Sequence, residues 1–348
     1  MNFKYKSEVI GKNGISARIV AKSKSAHSDT IITTWEYDAP KCILAELNTH
    51  NMLVKNAQSS RAVPVKKVIE QIRNNPVTPV HWGSNQAGMV AGEEIDGVVQ
   101  FNSDGHLYEL DRDEAWKHSA ELIADIQSSW EDAGYHKQIV NRIGEAFTMV
   151  RGVITGTEID NFFHLRYHKD ADPYIQELAR CMWEAYEQAE TEVLYEGEWH
   201  TPYYGDGYWK ESSPVKFLED GTPVTGQDKS GVSLEWALKT SSAGCGQVSY
   251  RKLDLSEETV DRVWNRLMTG DIIHASVTGH QATPMQMFEY PYGEGMNAID
   301  CFTEKGKSHM DSNGQFWSAQ FKHWIMHRKL IPNESFKGKF VPPVGDNK

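Results

Sequence analysis

The chain has 348 residues, 39% hydrophobic and 11% aromatic, which is enough apolar material for one large core or two closely joined cores. Its formal net charge of −12 argues against a nucleic-acid polymer as partner, because such binding uses a broad basic face. A single nucleotide needs only a local group of arginines. No stretch approaches the roughly 18 apolar residues of a membrane span, and the charged N-terminus is unlike a secretory signal. The sequence therefore predicts a cytoplasmic protein without a membrane partner.

The N-terminal third alternates polar and apolar residues over its first 37 positions, which predicts three strands. A helical pattern follows over residues 41–53. A second, short helix is predicted over 62–75, with Pro64 near its first turn. Residues 76–92 contain too much proline and glycine for regular structure and are predicted to form a loop.

The middle third is predicted to be rich in helix. Apolar spacing of three and four residues indicates helices over 111–133 and 136–147. A strand pattern covers 148–157. Two further helices are then indicated, one over 161–166 and one over 173–190.

Residues 195–231 are crowded with glycine, proline, aspartate and aromatic residues, and are predicted to be an irregular connection. We therefore divide the chain into a core over 1–194, this connection, and a C-terminal segment over 232–348. The C-terminal segment is predicted to complete the same fold. Its predicted elements, in order, are a helix around 233–239, a turn over 241–247, a strand over 248–253, a capped helix over 255–268 and a final helix over 318–330.

The four cysteines have no CxxC spacing, so the sequence predicts neither disulfides nor a zinc site, and the cysteines are expected to be buried small apolar residues. His164, His168 and Asp170 imitate a helical metal site. No third histidine at helical spacing supports that interpretation, and no metal is predicted.

The densest polar cluster runs from Asn48 to Asn51 and from Asn56 to Arg61, where one predicted helix ends and the next begins. Free backbone donors, hydroxyls and a guanidinium at such a junction suit a phosphate, although caps and turn residues give the same composition. Arg142 and Arg166 lie in helical patterns between apolar neighbours. Each is expected either to face an anion or to pair with a nearby acid such as Glu145 or Asp170.

Two histidine-containing segments leave their interpretation open. His274 and His280 are predicted to lie in a loop, where a histidine either contacts a ligand or is solvated. The segment of His81 and Trp82 either stacks on an aromatic ligand or forms a turn packed by the tryptophan. Motifs of other enzyme classes are missing: the sequence has no GxGxxG fingerprint, no GxxxxGK[ST] loop and no GxSxG elbow, which argues against a Rossmann dehydrogenase, a P-loop NTPase and an α/β hydrolase.

Order and spacing together resemble the flavin-dependent thymidylate synthases. Their signature is Arg-His-Arg, seven residues and Ser, ending in Asn-Glu-x-Ser-x-Arg. Here Thr49-His50-Asn51, seven residues and Ser59 fit that frame, with Asn56 and Arg61 on the family's Asn and Arg. A second signature is Asn, Phe, then Leu-Arg, and the segment Asn161 to Arg166 resembles it. Arg142 falls where the family has an arginine before its central strand.

A third family signature, an SY-type strand followed by His-x-Ser/Thr-Pro-Phe-Glu-His, normally comes before the other two. Here Val248-Ser249-Tyr250 and the segment from His274 to His280 look like it, but they come after. The motif order is therefore permuted, an arrangement similar to a longer branch found in bacteriophage genomes. Most of residues 30–335 is covered by the resemblance.

The resemblance implies an α/β (α+β) fold of the flavin-dependent thymidylate synthase type with permuted motif order and a helix-rich centre. It implies FAD as cofactor, NADPH and methylenetetrahydrofolate as co-substrates, and a homotetramer with active sites shared between subunits. The reaction would transfer a one-carbon unit to C5 of dUMP, giving dTMP. No protein nucleophile is expected, because flavin and pocket electrostatics drive this chemistry.

By the same resemblance, the site residues divide into two groups. The group expected to hold the deoxypyrimidine monophosphate consists of Glu46, Ser59, Ser60, Arg61, Arg142 and Arg166. The group expected to face the flavin consists of Thr49, His50, Asn51, Asn56, Asn161, Ser249, His274 and Ser276.

The sequence departs from the family pattern at several positions. Thr49 and Asn51 replace the two arginines of the triplet, and Ala57 replaces the glutamate. Losing a bidentate guanidinium removes about 1.5–3 kcal/mol of charge-assisted hydrogen bonding unless another group replaces it. Two alternatives therefore stay open: flavin-dependent hydroxymethylation or hydroxylation of dUMP or dCMP at C5, and a catalytically silent nucleotide-binding subunit.

Overall fold

The computed structural model describes residues 3–103, 105–212, 216–217, 223–224, 226–249, 253–270, 273–286 and 304–339. The strands are β1 Ser7–Ile10, β2 Ser16–Ser25, β3 Ile31–Pro40, β4 Val54–Ala57, β5 Val99–Ser103, β6 His106–Leu110, β7 Met149–Gly156, β8 Glu192–Leu194, β9 Trp199–His200, β10 Tyr208–Trp209, β11 Lys216–Phe217, β12 Pro223–Val224, β13 Ala282–Pro284, β14 His309–Met310, β15 Phe316–Ser318, β16 Phe321–Lys322 and β17 Trp324–Met326. The α-helices are α1 Leu44–Leu47, α2 Val65–Asn74, α3 Arg112–Asp132, α4 Lys137–Ile143, α5 Asp160–Arg166, α6 Pro173–Gln188, α7 Leu234–Gly246 and α8 Glu257–Met268.

The largest sheet has the order β1-β2-β3-β7-β4, with β8 added beside β2. Its pairs are antiparallel except for β2 with β8. Long strands β2 and β3 carry buried residues at almost every position, so both faces of this sheet are covered. The three predicted N-terminal strands and the predicted strand over 148–157 are confirmed, and the protein has a mixed α/β fold with antiparallel sheets.

Helix α6 covers one face of the sheet. Its apolar side buries Ile175, Leu178 and Met182 against Trp35 and Tyr37 of β3. The Trp35 indole Nε1 donates to the Met182 carbonyl at 3.0 Å, so the large ring keeps a hydrogen bond while fully buried. Asp172 caps the helix through the backbone N–H groups of residues 174 and 175.

Helices α2, α3 and α4 form a second apolar cluster beside this sheet. Val68 and Ile72 of α2 pack against Ala124 of α3 and Val140 of α4, with Phe147 closing the cluster. Asp111 accepts from the Glu114 N–H and caps α3. All three helices were predicted from apolar spacing and are confirmed, although the structure adds the hairpin β5–β6 before α3, which the sequence analysis missed.

A smaller sheet with the order β10-β9-β13-β17 joins two strands inside the predicted irregular connection, β9 and β10, to two strands of the C-terminal segment. Its cluster contains Leu194, Ala282 and Trp324 and packs against Ile32 of β3. Two buried histidines link the sheets: His200 Nε2 is 2.8 Å from Thr34 Oγ1, and His280 Nδ1 is 2.8 Å from Thr155 Oγ1.

Three predicted elements were wrong, and a fourth is contradicted over the residues that the structure describes. The helix over 41–53 is only a 3-10 turn and the four residues of α1, because a hydrogen-bonded turn at Asn48–Leu53 leads directly into β4. The predicted turn at 241–247 lies within α7, where Gly244 allows the helix to approach the Tyr203 ring. Of the predicted strand over 248–253, residues 248 and 249 belong to a 3-10 helix, Gln247–Ser249, and residues 250–252 lie outside the described residues.

The predicted final helix over 318–330 is instead strands β15 to β17 and a 3-10 turn. Ala319 and His323 adopt positive φ angles of 52° and 60°, which turn the chain twice within five residues and cannot occur in a right-handed helix. The expectation of buried cysteines holds for Cys181 and Cys245 but not for Cys42, which is exposed, and Cys301 lies outside the described residues. No helix among the described residues is long and apolar enough to span a membrane.

Candidate functional site

Arg166 joins two of the sequence motifs, although they are more than a hundred residues apart. At the end of α5, its guanidinium donates to a Glu46 carboxylate oxygen, to His50 Nε2 at 2.7 Å and to Thr49 Oγ1 at 3.5 Å. The partner of Arg166 is therefore Glu46, not the neighbouring Asp170 that the sequence suggested. Two residues of the triplet, Thr49 and His50, therefore form one cluster with Glu46 and the arginine of the Leu-Arg motif.

His50 is held neutral in this cluster. Burial, the positive charge of Arg166 and that of Lys55 together lower the pKa of His50 to about 4. The neutral ring accepts from Arg166 at Nε2, so its proton is on Nδ1. The Phe162 ring meets the imidazole edge-on at 5.1 Å between centroids, which fixes its orientation.

A cleft of about 430 Å³ opens between the sheet and the helical cluster, a size typical of sites for small ligands. The end of β3, the loop from β4 to α2, helices α2 and α4, strand β7 and the 3-10 helix Gln247–Ser249 meet here. Polar residues predominate among those that line it, and the lining consists of Asp38, Lys41, Gln58, Ser59, Ser60, Val63, Val68, Gln71, Asn141, Thr148, Met149, Val150, Arg151 and Val248. We call it the smaller cleft.

The loop that carries Ser59 and Ser60 is fixed from two sides. Asn141 of α4 donates from its side-chain amide to the Ser60 carbonyl at 2.8 Å and to the Val63 carbonyl at 2.9 Å. The Ser59 hydroxyl accepts from the Arg61 N–H at 3.3 Å. The hydroxyls of this loop are thus held beside the cleft before any ligand binds.

Arg61 lies in the loop that carries Ser59 and Ser60, and Arg142 lies on α4. Both side chains are exposed, and neither forms an ion pair within the described part of the chain. Arg61 follows Ser60 directly and Arg142 follows Asn141, but neither arginine is among the residues that line the smaller cleft. Glu145, which the sequence suggested as a partner for Arg142, pairs with Lys41.

At the other end of the lining, Arg151 of β7 is paired with Asp38 of β3. Arg151 donates from Nε to Asp38 Oδ1 at 2.9 Å and from Nη2 to Oδ2 at 3.0 Å, a bidentate pair. Although burial opposes it, the hydrogen bonds and charge of Asp38 raise the pKa of Arg151. The two strands place these side chains side by side because Asp38 is the register partner of Arg151.

A buried network fixes this pair from behind. Arg18 donates from Nη2 to Asp38 at 2.8 Å and from Nη1 to Glu36 at 3.2 Å. The Glu36 carboxylate also accepts from the Tyr5 hydroxyl at 2.9 Å and from the Tyr203 hydroxyl at 2.8 Å. Neither Asp38 nor Arg151 is predicted from the sequence, although Arg151 stands out as an arginine in the middle of an apolar strand pattern.

A larger groove of about 940 Å³ lies on the other side of Arg166 and Glu46 and is bounded by the start of α6 and the loop before β5. Its charged lining contains five carboxylates against three cationic side chains: Glu46, Glu94, Asp170, Asp172 and Glu177 against Lys12, Arg166 and Lys169. The groove has room for a large ligand, but the charge of this one chain does not favour an anionic one.

The remaining predicted site residues lie apart from both linings. Asn51, Asn161, His274 and Ser276 are exposed, and Asn56 is half-buried on β4. The side chain of Ser249 is outside the described residues, but its neighbour Val248 lines the smaller cleft. Val248, in the Val248-Ser249-Tyr250 part of the third motif, therefore lines the smaller cleft. The segment from His274 to His280 does not.

Two further expectations concern ligand-binding histidines. Trp82 packs edge-on against Trp116 at 5.9 Å and under Arg112, and His81 Nε2 is 3.0 Å from the Gly92 carbonyl, so this segment is a packed turn. His168 is 3.6 Å from Asp170, and both are exposed. Among the described residues, no group of three or more histidine, cysteine, aspartate or glutamate side chains could hold a metal ion.

No protein-family model matches the chain. No curated protein matches it. A solved structure of a UMP/dUMP methylase, PolB from Streptomyces cacaoi bound with 5-Br dUMP, is similar over 52% of this chain and 93% of that chain, with a TM-score of 0.37 and 14% sequence identity. Values this low do not establish a common fold or a common activity.

Proposed function

We propose that this protein binds a deoxypyrimidine monophosphate in the smaller cleft and transfers a one-carbon unit to C5 of its base, converting dUMP to dTMP. The observation that carries the proposal is the contact of Arg166 with Glu46, Thr49 and His50. Two motifs that resemble the same enzyme family meet in space, although nothing in their local sequence requires it.

The smaller cleft supplies the groups that a nucleotide monophosphate needs. Ser59 and Ser60 supply hydroxyl donors in the lining. The exposed side chains of Arg61 and Arg142, which form no ion pair in the described part of the chain, belong to the same loop and helix, and we propose that they attract the phosphate from the adjoining surface. The fixed loop lowers the entropy cost of binding, because Asn141 already holds it in place.

For the cofactor we propose FAD, with NADPH and methylenetetrahydrofolate as co-substrates. The larger groove has sufficient volume, and Arg166 and Glu46 border it. Its excess of carboxylates does not fit the diphosphate of FAD, so the residues of one chain do not make a complete site. The missing positive charge would come from a second copy of the chain, in keeping with the shared sites that the resemblance implies.

The test starts from the purified full chain. We expect a yellow protein with flavin absorption, and a dUMP dissociation constant in the micromolar range by calorimetry, with dAMP as the control ligand. Mass spectrometry of products from dUMP and dCMP, with and without methylenetetrahydrofolate, identifies the reaction. A protein that binds neither pyrimidine nucleotide would overturn the proposal, and a colourless protein that binds dUMP would remove its flavin component.

A further inference from the structure

We infer that the side-chain amide of Gln71 binds the hydrogen-bonding edge of the pyrimidine base in the smaller cleft. This assignment rests on the function proposed above. It gives base recognition to a residue of α2 that no sequence motif marked.

The charged side chains of the smaller cleft are already paired. Asp38 and Arg151 form a bidentate pair, and Lys41 is paired with Glu145. A pyrimidine base is neutral overall and offers no charge that could replace either partner of these pairs. Base recognition is therefore expected from the neutral hydrogen-bonding groups of the lining.

Three carboxamide side chains are among the described residues that line the smaller cleft, and Gln71 is the one without a partner. Asn141 donates to the carbonyls of Ser60 and Val63, and Gln58 already takes part in an interaction within the chain. The Gln71 side chain forms no hydrogen bond within the described part of the chain. A half-buried carboxamide of this kind is left to bond solvent or a ligand.

The backbone of Gln71 is fixed although its amide is unbound. Val68 and Ile72 of the same helix are buried in the helical cluster, and the Gln71 carbonyl accepts from the Asn75 N–H at 2.8 Å. Val68, three residues earlier on α2, lies on the same helix face as Gln71 and also lines the smaller cleft. Only the side-chain torsions of Gln71 therefore have to adjust when a ligand binds.

The chemistry of a carboxamide matches the edge of a pyrimidine. Its oxygen accepts and its NH₂ group donates, and both are attached to one carbon atom, so the acceptor and the donor lie next to each other. Uracil has the N3–H donor beside the O4 acceptor, and cytosine has the N4–H donor beside the N3 acceptor. The amide of Gln71 can bond either edge through two hydrogen bonds, as glutamine does with the edge of adenine in DNA. Val63 and Met149 supply apolar surface in the same lining for the faces of the ring.

The distance along α2 fits a nucleotide. The loop that carries Ser59 and Ser60 leads into α2 at Val65, and Gln71 is six residues further along the helix. At 1.5 Å per residue, this separation is about 9 Å. A nucleotide monophosphate has its sugar between the phosphate and the base edge, and it needs a separation of this order. A phosphate near the serine hydroxyls and a base edge at Gln71 therefore fit one wall of the smaller cleft.

The experiment measures whether Gln71 and the N3–H group of the base interact with each other. Dissociation constants for dUMP, 3-methyl-dUMP and 2-deoxyribose 5-phosphate are measured by calorimetry for the wild type and for Gln71→Met, which keeps a long, helix-compatible side chain but has no amide. Gln188→Met is the matched control, because Gln188 is exposed at the end of α6 and lines neither cleft. Circular dichroism and the thermal midpoint check that each variant folds.

In the wild type, we expect methylation at N3 to weaken binding at least fivefold, and this measurement stands even if the variant does not fold. Gln71→Met should bind dUMP at least fivefold more weakly, and its own loss on N3 methylation should fall below twofold, because the partner of the N3–H group is gone. The affinity for 2-deoxyribose 5-phosphate should change less than twofold in Gln71→Met, and Gln188→Met should match the wild type for all three ligands.

An equal loss on N3 methylation in the wild type and in Gln71→Met would overturn the inference, because the two groups would then act independently. Equal losses of affinity for dUMP and for the sugar phosphate in Gln71→Met would also overturn it. Wild-type protein that binds no pyrimidine nucleotide would overturn the proposed function instead.

Discussion

His50 illustrates how single side chains set one another's protonation state in this site. Buried between Arg166 and Lys55, it has a pKa of about 4 and accepts a hydrogen bond that a protonated ring could not accept. Because its pKa is lower in the folded protein than in the unfolded chain, His50 contributes stability above pH 6.5 that is lost as the pH falls towards 4.

Replacing Arg166 should raise the pKa of His50. The Arg166→Ala change removes a positive charge next to the ring and leaves Glu46 without that partner, and both effects favour the imidazolium. A proton NMR titration should therefore show His50 titrating at least one unit above its value in the wild type. Arg142→Ala removes an exposed arginine and is the control. An unchanged His50 titration in Arg166→Ala would mean that the two side chains are not in contact in solution.

At the scale of elements, the packing of β3 against β7 depends on a glycine. Gly152 is the register partner of Tyr37, and a Cβ at this position would overlap the Tyr37 ring. Tyr37 is fully enclosed in the core and cannot move aside without disturbing it.

We therefore expect Gly152→Ala to lower the free energy of unfolding by roughly 1–3 kcal/mol, the usual effect of overpacking a core. Urea denaturation followed by circular dichroism measures the change. Gly97→Ala is the control, because nothing lies within 4 Å of a Cβ there. Equal stability of the Gly152→Ala variant and the wild type would contradict the close approach of these strands.

Two buried histidines at the contact between the largest sheet and the smaller sheet should make the free energy of unfolding depend on pH. His200 and His280 are fully buried on hydrogen bonds to Thr34 and Thr155, and burial lowers the pKa of each to about 3, with Lys6 adding to the effect on His200. Both rings are neutral in the folded protein but protonate in the unfolded chain below pH 6.5. The stabilisation that results from keeping these rings neutral is fully present above pH 6.5. As the pH is lowered towards 3, the free energy of unfolding falls by about 1.4 kcal/mol per pH unit for each histidine.

Urea denaturation at pH 7, 6 and 5 tests this dependence. The His280→Gln variant should lose stability less steeply than the wild type over this range, because one of the two groups no longer titrates. His164→Gln, at an exposed position on α5, should keep the wild-type slope. Identical slopes for wild type and His280→Gln would show that His280 is not buried as a neutral ring.

At the scale of the whole molecule, the surface of α3 and α4 carries an apolar patch. Ile126, Trp130, Tyr135 and Ile139 are each more than a third exposed, and the Trp130 and Tyr135 rings lie 4.6 Å apart. A group of large apolar side chains on one helix pair is typical of an interface. The resemblance to a tetrameric family, and the incomplete charge of the larger groove, favour association through such surfaces.

We expect light scattering to give a mass near four subunits for the wild type. Trp130→Glu should lower that mass, because a carboxylate in the centre of an apolar contact is costly to bury. Ile10→Glu, at an exposed site on β1, is the control. A wild-type monomer at micromolar concentration would exclude active sites shared between chains, and dissociation by the control alone would place the interface elsewhere.

Much of the framework follows from local sequence. Strands β2, β3 and β7 and helices α2, α3, α6 and α8 were predictable because each has enough residues for its apolar period to be distinct, and because Pro64, Asp111 and Asp172 mark helix starts. Prediction was wrong for residues 318–330, where three-residue strands are too short to show a period and two positive φ angles decide the path.

The sequence by itself determined the mixed α/β framework and the candidate motifs, since periodicity, capping and spacing are properties of neighbouring residues. Only the tertiary structure decided which charges meet. Arg166 pairs with Glu46 across 120 positions, not with the closer Asp170 that the sequence suggested, and Arg151 pairs with Asp38 across 113. The physical reason is that strand register and helix packing set these distances, and the Coulomb energy of a pair depends on distance in space, not on separation along the chain.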